Sequence, residues 1–249
     1  MGDFMKKGIF LSIGLKKLSV LVFSALLIAS GVAGIYYSTI SVATINIMSN
    51  ENVIIVDAGH GGIDGGTQSA AGVLEKDINL AIADKVGAML SLIGYEVVFT
   101  RQSDNIPYGN ECVTVRQKKV WDTHNRMAVI EKFPDGIFLS IHQNYFEQSR
   151  YSGAQVFYSL NNPESRLIAE NIQASIAGSL QKDNDRQIKK VGTEIYLLYK
   201  AQIPAVMVEC GFLSNEKEAE LLNDSEYQNE MALSIVKGLI QYFNNQTQV

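Results

Sequence analysis

From Val53 onward two hydrophobic periods take turns along the chain. Val53 to Val56 is an apolar, β-branched run that stops at Asp57, as a buried strand does. A glycine-rich stretch follows, G-H-G-G-I-D-G-G at 59–66. The period then changes: Ile78, Ile82, Val86, Met89 and Ile93 recur at helical spacing, with Gly94 as the stop. Tyr95 to Thr100 reads as a second strand, and Arg116 to Lys132 as a helix closed by Pro134 and Gly136. Ile137 to Ile141 and Ala154 to Tyr158 are the next strands, and Pro163 opens a helix to about Leu180. Ile195 to Leu198 and Ala205 to Val208 read as short strands. The last helix, Tyr227 to Phe243, is apolar at Ala232, Ile235, Leu239 and Phe243. Strands and helices in alternation predict an α/β sandwich around a largely parallel sheet.

The first fifty residues follow neither period. Lys6, Lys7, Lys16 and Lys17 precede an uncharged run from Leu18 to Tyr37, and nothing charged lies between Lys17 and Glu51. About 20 apolar residues suffice to cross a bilayer, and the basic flank keeps the N-terminal end in the cytoplasm. Residues 1–46 therefore read as an export signal or membrane anchor. Gly31 and Ala33, or Ser41 and Ala43, suit a signal peptidase, and no cysteine follows the run to carry a lipid. The remainder, 51–245, has no repeat or low-complexity tract and reads as a single extracytoplasmic domain, anchored or secreted.

Composition narrows the function. The chain of 249 residues is 47% hydrophobic and 19% charged, enough for a core. Its net charge is −5, and without Asp3 and the four N-terminal lysines the exported part carries about −8 by formal count. Such a domain has no affinity for nucleic acid. The glycine stretch is not a dinucleotide loop either: Gly59 and Gly61 fit its start, but Asp64 stands where a phosphate would approach.

Three polar residues share one situation. His60 follows the first strand, His142 ends F-L-S-I-H, and Glu209 ends P-A-V-M-V-E. If the three strands are parallel, all three side chains meet at the carboxyl rim of the sheet, where open α/β sheets bind ligands. Glu75, at the mouth of the helix after the glycine stretch, is a fourth candidate, although acids in a first helical turn also serve the helix dipole; Asp77 reads as that plain case. Two imidazoles and one carboxylate make a catalytic zinc set, with one carboxylate left to move protons. Spacing leaves open which glutamate is which. Asp57 and Asp64 flank His60 and are placed to orient its ring or to cap the turn. Cys210 reads as a small buried side chain rather than half of a disulfide with Cys112, His124 as exposed, and Arg116, Lys118 and Lys119 as a solvated basic face or, alternatively, a surface for glycan or partner.

Together these residues resemble the zinc-dependent N-acetylmuramoyl-L-alanine amidases that cut bacterial peptidoglycan. D-A-G-H-G-G-I-D-G-G at 57–66, E-K-D-I-N-L from Glu75, S-I-H-Q-N around His142 and P-A-V-M-V-E-C-G-F-L-S-N around Glu209 look like that family's motifs, in order, across Val53 to Phe243. The resemblance implies one zinc held by His60, Glu75 and His142, Glu209 as catalytic acid/base, and a mixed, mainly parallel twisted sheet flanked by helices. It implies peptidoglycan as substrate and leaves room for a wall-modifying or regulatory protein partner. Lacking wall-binding repeats and carrying one membrane segment, the chain looks like the short, germination-type amidases of endospore formers. Those strip peptides from cortex muramic acid so that a deacetylase can complete muramic-δ-lactam. A zinc carboxypeptidase or endopeptidase on the same polymer, or a non-catalytic wall-binding domain, are the competing readings.

A reporter fused after Val249 is expected to be active only outside the cytoplasm, and removal of residues 1–46 to leave a soluble, folded domain. An insoluble product that refolds only with the segment restored would move the boundary.

Overall fold

The computed structural model describes residues 53–246 and, before them, Ser30 alone. The chain divides into Met1–Ser49 and Asn50–Val249, and the architecture that follows belongs to the second unit. The expected segment Leu18–Tyr37 lies, but for Ser30, outside the described residues; among those described, no helix is long and apolar enough to cross a membrane.

The elements run β1 (Ile54–Ala58), α1 (Glu75–Leu92), β2 (Val97–Phe99), α2 (Val115–Glu131), β3 (Ile137–Asn144), β4 (Gln155–Tyr158), α3 (Glu164–Ser179), β5 (Lys189–Lys190), α4 (Tyr196–Lys200), β6 (Ala205–Phe212), α5 (Glu216–Asn223) and α6 (Ser225–Gln246). They build a six-stranded sheet in the order β2-β1-β3-β6-β4-β5. β1 runs parallel to β2 and β3, and β3 parallel to β6. β4 is antiparallel to β6 and parallel to β5. The sheet is thus mixed and mainly parallel, as expected, with its parallel core wrapped by helices as crossover connections require.

Helix periodicity held where apolar positions were regular. Ile78, Ile82 and Val86 of α1 are buried, and Gly94 ends the connection with φ of 97°. Ala232, Ile235, Leu239 and Phe243 of α6 are buried too. α2 begins with a capping box, Thr114 accepting from the Gln117 amide while the Gln117 side chain accepts from Thr114. The expected strand at Ile195–Leu198 is instead the start of α4, with Ile195 as N-cap. Leu198 and Ala201 enter the core beside Ile55, Phe138 and Met207, while Tyr196, Tyr199 and Lys200 stay exposed. So short an apolar run suits a strand or a helical turn, and tertiary packing chose the turn. β5 and α5 were not read from the sequence, and β3 and β6 run on to Asn144 and Phe212.

The pleat sorts the parallel strands into two faces. One carries Ile54, Val56, Leu139, Ile141, Val206 and Val208, all buried and apolar. The other begins apolar with Ile55, Phe138 and Ala205 and turns polar toward the carboxyl ends: Asp57, Ser140, His142 and Glu209. Asp57 is almost fully buried there. It accepts from Thr100 Oγ1 (2.6 Å), Ser140 Oγ and the Arg126 guanidinium of α2. Burial alone would raise its pKa, but the Arg126 charge and the two hydroxyls outweigh burial and bring it from 3.8 to about 2.

The folded pKa of Asp57 lies below its unfolded value, so ionised Asp57 stabilises the fold above pH about 4 and that contribution is lost as the pH falls toward 2. Its size is on the order of 2 kcal/mol. Urea midpoints of the parent are expected to drop across this window, whereas Asp57→Asn is less stable at pH 7 and has a flatter profile. Parallel profiles for the two proteins would show that Asp57 is not a source of the acid sensitivity.

Candidate metal centre

Parallel pairing of β1, β3 and β6 brings their carboxyl ends to one rim, and His142 and Glu209 are directly paired across β3 and β6. His60 sits just beyond β1 in a left-handed conformation, φ 60°, which is uncommon for a residue with a side chain and has to be held by its surroundings. Gly59 before it has no room for a side chain: a Cβ there would lie 2.2 Å from the His142 ring. The absence of that carbon lets the imidazole of His142 lie against the β1 backbone.

Glu75, the first residue of α1, reaches between the two imidazoles. Its Oε1 lies 3.2 Å from His60 Nε2 and 3.0 Å from His142 Nδ1. The same oxygen accepts from the Gln143 amide and from Asn79 Nδ2; Oε2 accepts from the amide and hydroxyl of Thr67. Burial would raise the Glu75 pKa, but the two imidazoles hold it well below the carboxylate range. His60 is the converse: burial would lower its pKa, and the carboxylates of Asp64 and Glu75 raise it to about 9. The donor atoms of His60, Glu75 and His142 all lie within 4.8 Å of one another, a cluster able to hold a metal ion. Two imidazole nitrogens and a carboxylate oxygen suit a borderline divalent cation.

Glu209 faces the same cleft and is not one of that cluster. Its Oε2 is buried and has no hydrogen-bond partner among the described residues, an orphan acceptor that calls for a ligand or water. Burial raises its pKa to about 7; the Glu75 charge adds to this, while His142 and His60 oppose it. The two glutamates, equivalent as residue types, are thereby pushed in opposite directions, the mark of different roles.

Of the two aspartates flanking His60, Asp64 touches the ring: its Oδ2 lies 3.0 Å from His60 Nδ1. Asp57 does not orient the ring and serves the buried pair with Arg126 instead, because the strand pleat turns it toward α2. Lys119, expected on a solvated face, closes on Asp64 Oδ1 at 2.8 Å, while Lys118 lies over the Tyr108 ring. His124 is exposed and Asp77 likewise, as expected. Cys112 and Cys210 are both buried and free. Lys119, Asp122 and Arg126 line the cleft, which has a volume of about 450 Å³. Their spacing of three and four residues, one helical face, was the signal in the sequence that would have placed them there.

Against known proteins, residues 54–241 match the family described as N-acetylmuramoyl-L-alanine amidase. The germination-specific N-acetylmuramoyl-L-alanine amidase of Bacillus subtilis (strain 168) is 36% identical over 193 residues, covering 77% of this chain and 79% of that protein. The CwlD amidase from Clostridioides difficile, solved in complex with the GerS lipoprotein, is similar with a TM-score of 0.75 and 42% identity, covering 78% of this chain and 100% of that one. The catalytic domain of CwlV from Bacillus (Paenibacillus) polymyxa var. colistinus gives a TM-score of 0.64 at 30% identity, over 78% of this chain and 98% of that domain.

The purified chain is expected to bind about one divalent metal ion, lost to chelators and weakened by His60→Ala, Glu75→Ala or His142→Ala. Elemental analysis and metal titration check this. If Glu75→Ala held metal as tightly as the parent, Glu75 would not be a ligand.

Proposed function

Since this chain belongs to the N-acetylmuramoyl-L-alanine amidase family, we propose that His60, Glu75 and His142 hold one zinc ion at the rim and that Glu209 is the acid/base of the reaction. The enzyme class is that of hydrolases cleaving the amide between N-acetylmuramic acid and L-alanine in peptidoglycan. The observation that carries the assignment of roles is the sealed, partnerless Oε2 of Glu209 beside a completed two-histidine, one-carboxylate cluster. A domain with only a structural metal would have no use for that spare carboxylate.

When bound, zinc supplies Lewis acidity toward a water and a carbonyl oxygen, together with a positive charge that favours ionised Glu209. Glu209 then accepts the proton of the attacking water at Oε2 as the lactyl carbonyl of muramic acid is attacked. The same oxygen returns the proton to the departing L-alanine amine. Burial suits the group to both halves, because a pKa near the working pH lets it take and release a proton with little bias. Asp64 and Lys119 keep the His60 ring in place, and Thr67, Asn79 and the Gln143 amide keep Glu75 in place.

The substrate in the cell is proposed to be spore-cortex peptidoglycan, on the way to muramic-δ-lactam. The germination-specific and CwlD relatives support this. The complex of the latter with a lipoprotein supports a regulatory protein partner for this chain as well. Both fit an extracytoplasmic domain carried by residues 1–46.

Glu209→Gln keeps size and polarity but cannot accept the proton. Metal content and thermal stability are expected to stay near the parent's while turnover falls by at least ~10²-fold, mainly in kcat. Glu75→Gln should lose metal and activity together and regain part of both in excess zinc. Exchanged behaviour would exchange the roles. Mass spectrometry of digested peptidoglycan should show peptide-free muramic acid; shortened stems would indicate a peptidase, and an unchanged polymer a binding domain.

A further inference from the structure

His60 has an unfavourable backbone conformation, and the stretch that carries it, Gly59–Gly66, belongs to no helix or strand. Its internal ties are the paired backbone bonds between Gly61 and Asp64, at 2.9 and 3.0 Å, a contact of the Gly66 amide with Asp64, and the Asp64 carboxylate on the His60 ring at 3.0 Å. A turn this short and rich in glycine does not by itself select one position for an imidazole. Besides the Asp64 carboxylate on the ring and Arg126 on the His60 carbonyl, the turn is held by residues 100–112, the connection between β2 and α2.

That connection grips the turn at successive backbone groups. Arg101, buried, donates from Nε to the Ala58 carbonyl (2.8 Å) and from NH2 to the carbonyls of Gly59 (3.0 Å) and Lys76 (2.8 Å). Asp104 Oδ1 accepts from the Gly62 amide at 2.8 Å. Its Oδ2 accepts from Lys76 Nζ at 2.6 Å, and the same ammonium donates to the Gly62 carbonyl at 2.9 Å. Tyr108 Oη accepts from the Ile63 amide (3.2 Å) and donates to the Gly61 carbonyl (3.4 Å). The Tyr108 ring is itself set edge-on against Trp121 and lies beneath Lys118, both on α2. The hydroxyl presses close enough that a Cβ on Gly62 would meet it at 2.3 Å.

We propose that residues 100–112 form a brace for the proposed metal ligand His60, with Asp104 and Tyr108 as positioning residues that hold Gly61–Ile63 and thereby keep His60 Nε2 aimed at Glu75. The inference rests on the reading of His60 as a ligand. Neither residue contacts the His60 ring, so their effect passes through the backbone. Fixing a ligand before the ion arrives removes an ordering cost from binding, and loss of groups that orient a ligand typically weakens metal affinity by ~10–100-fold. The brace also accounts for an otherwise isolated ion pair, Lys76–Asp104. It links the first turn of α1, where Glu75 sits, to the same Gly62 peptide, so that the two ligands are referred to one another.

The test uses the full chain and zinc itself. Zinc affinity is measured by competition with a chromogenic chelator for the parent, Tyr108→Phe, Asp104→Ala, Asp104→Asn and the double variant Asp104→Ala/Tyr108→Phe. Amide hydrogen exchange at Gly61–Asp64 is followed in the metal-free proteins. Tyr108→Phe and Asp104→Ala are each expected to weaken zinc by ~10-fold, with faster exchange confined to the turn and unchanged protection in β1, β3 and β6. Asp104→Asn, whose side-chain oxygen still accepts from Gly62, should recover part of the affinity. Affinity equal to the parent's in the double variant, with its sheet amides protected, would overturn the brace alone. Equal zinc affinity in parent and His60→Ala would overturn His60 as a ligand, and the brace with it. Loss of affinity that follows global loss of protection would also count against it.

Discussion

Asp57 and Arg126 are both almost completely withdrawn from water, a costly arrangement for two charges unless nearly every donor and acceptor is satisfied. Here most are. The carboxylate also takes hydroxyls from Thr100 and Ser140, and the guanidinium also meets Asp122 and the carbonyls of Ala58 and His60. One buried pair thus ties together the end of β1, the residue after β2, the middle of β3 and the helix α2. It also fixes the carbonyl of a residue whose backbone is left-handed. Removing either partner would leave the other buried and uncompensated, so the pair and the placement of His60 stand or fall together.

Around that anchor the sheet does two jobs on one face. Its lower half, Ile55, Phe138 and Ala205, packs against residues of α2 and α4 as core. Two residues further along β1 and β3, and four along β6, the same face turns polar, and the last of these polar positions meet at the rim. Because the strands are parallel and in register, an equal step along β3 and β6 puts His142 beside Glu209 without any loop having to be steered there. Loops do the rest: Glu75 comes from a helix start and His60 from the glycine turn.

The electrostatic logic of the rim is a contrast between two glutamates. Glu75 is buried among hydrogen-bond donors and two imidazoles, so its charge is stabilised despite burial. Glu209 is buried with no donor on Oε2 among the described residues, and burial raises its pKa to about 7. In the proposed roles, the first environment suits a ligand and the second a proton carrier. Arg101, Arg126, Lys76 and Lys119 stand behind the acidic groups and hold the geometry rather than the reaction.

Much of this was legible from residue order. Regular apolar spacing marked α1 and α6, proline and glycine marked the end of α2 and the start of α3, short apolar runs marked β1, β3 and β6, and four motifs in sequence pointed to the family and to His60, Glu75, His142 and Glu209. These features repeat over many residues or lie within a few positions, so a one-dimensional pattern carries them. Other features depend on contacts between distant segments. Ile195–Leu198 became a helical turn because Leu198 and Ala201 found the core. Asp57 left the histidine for an arginine 69 positions away. Lys119, exposed as expected, also reaches Asp64, and residues 100–112 folded back onto the glycine turn. Ligand identity is a property of residue type and strand position, which the chain records locally. The pKa of a glutamate and the orientation of an imidazole are properties of everything within a few ångströms, which exists only after folding.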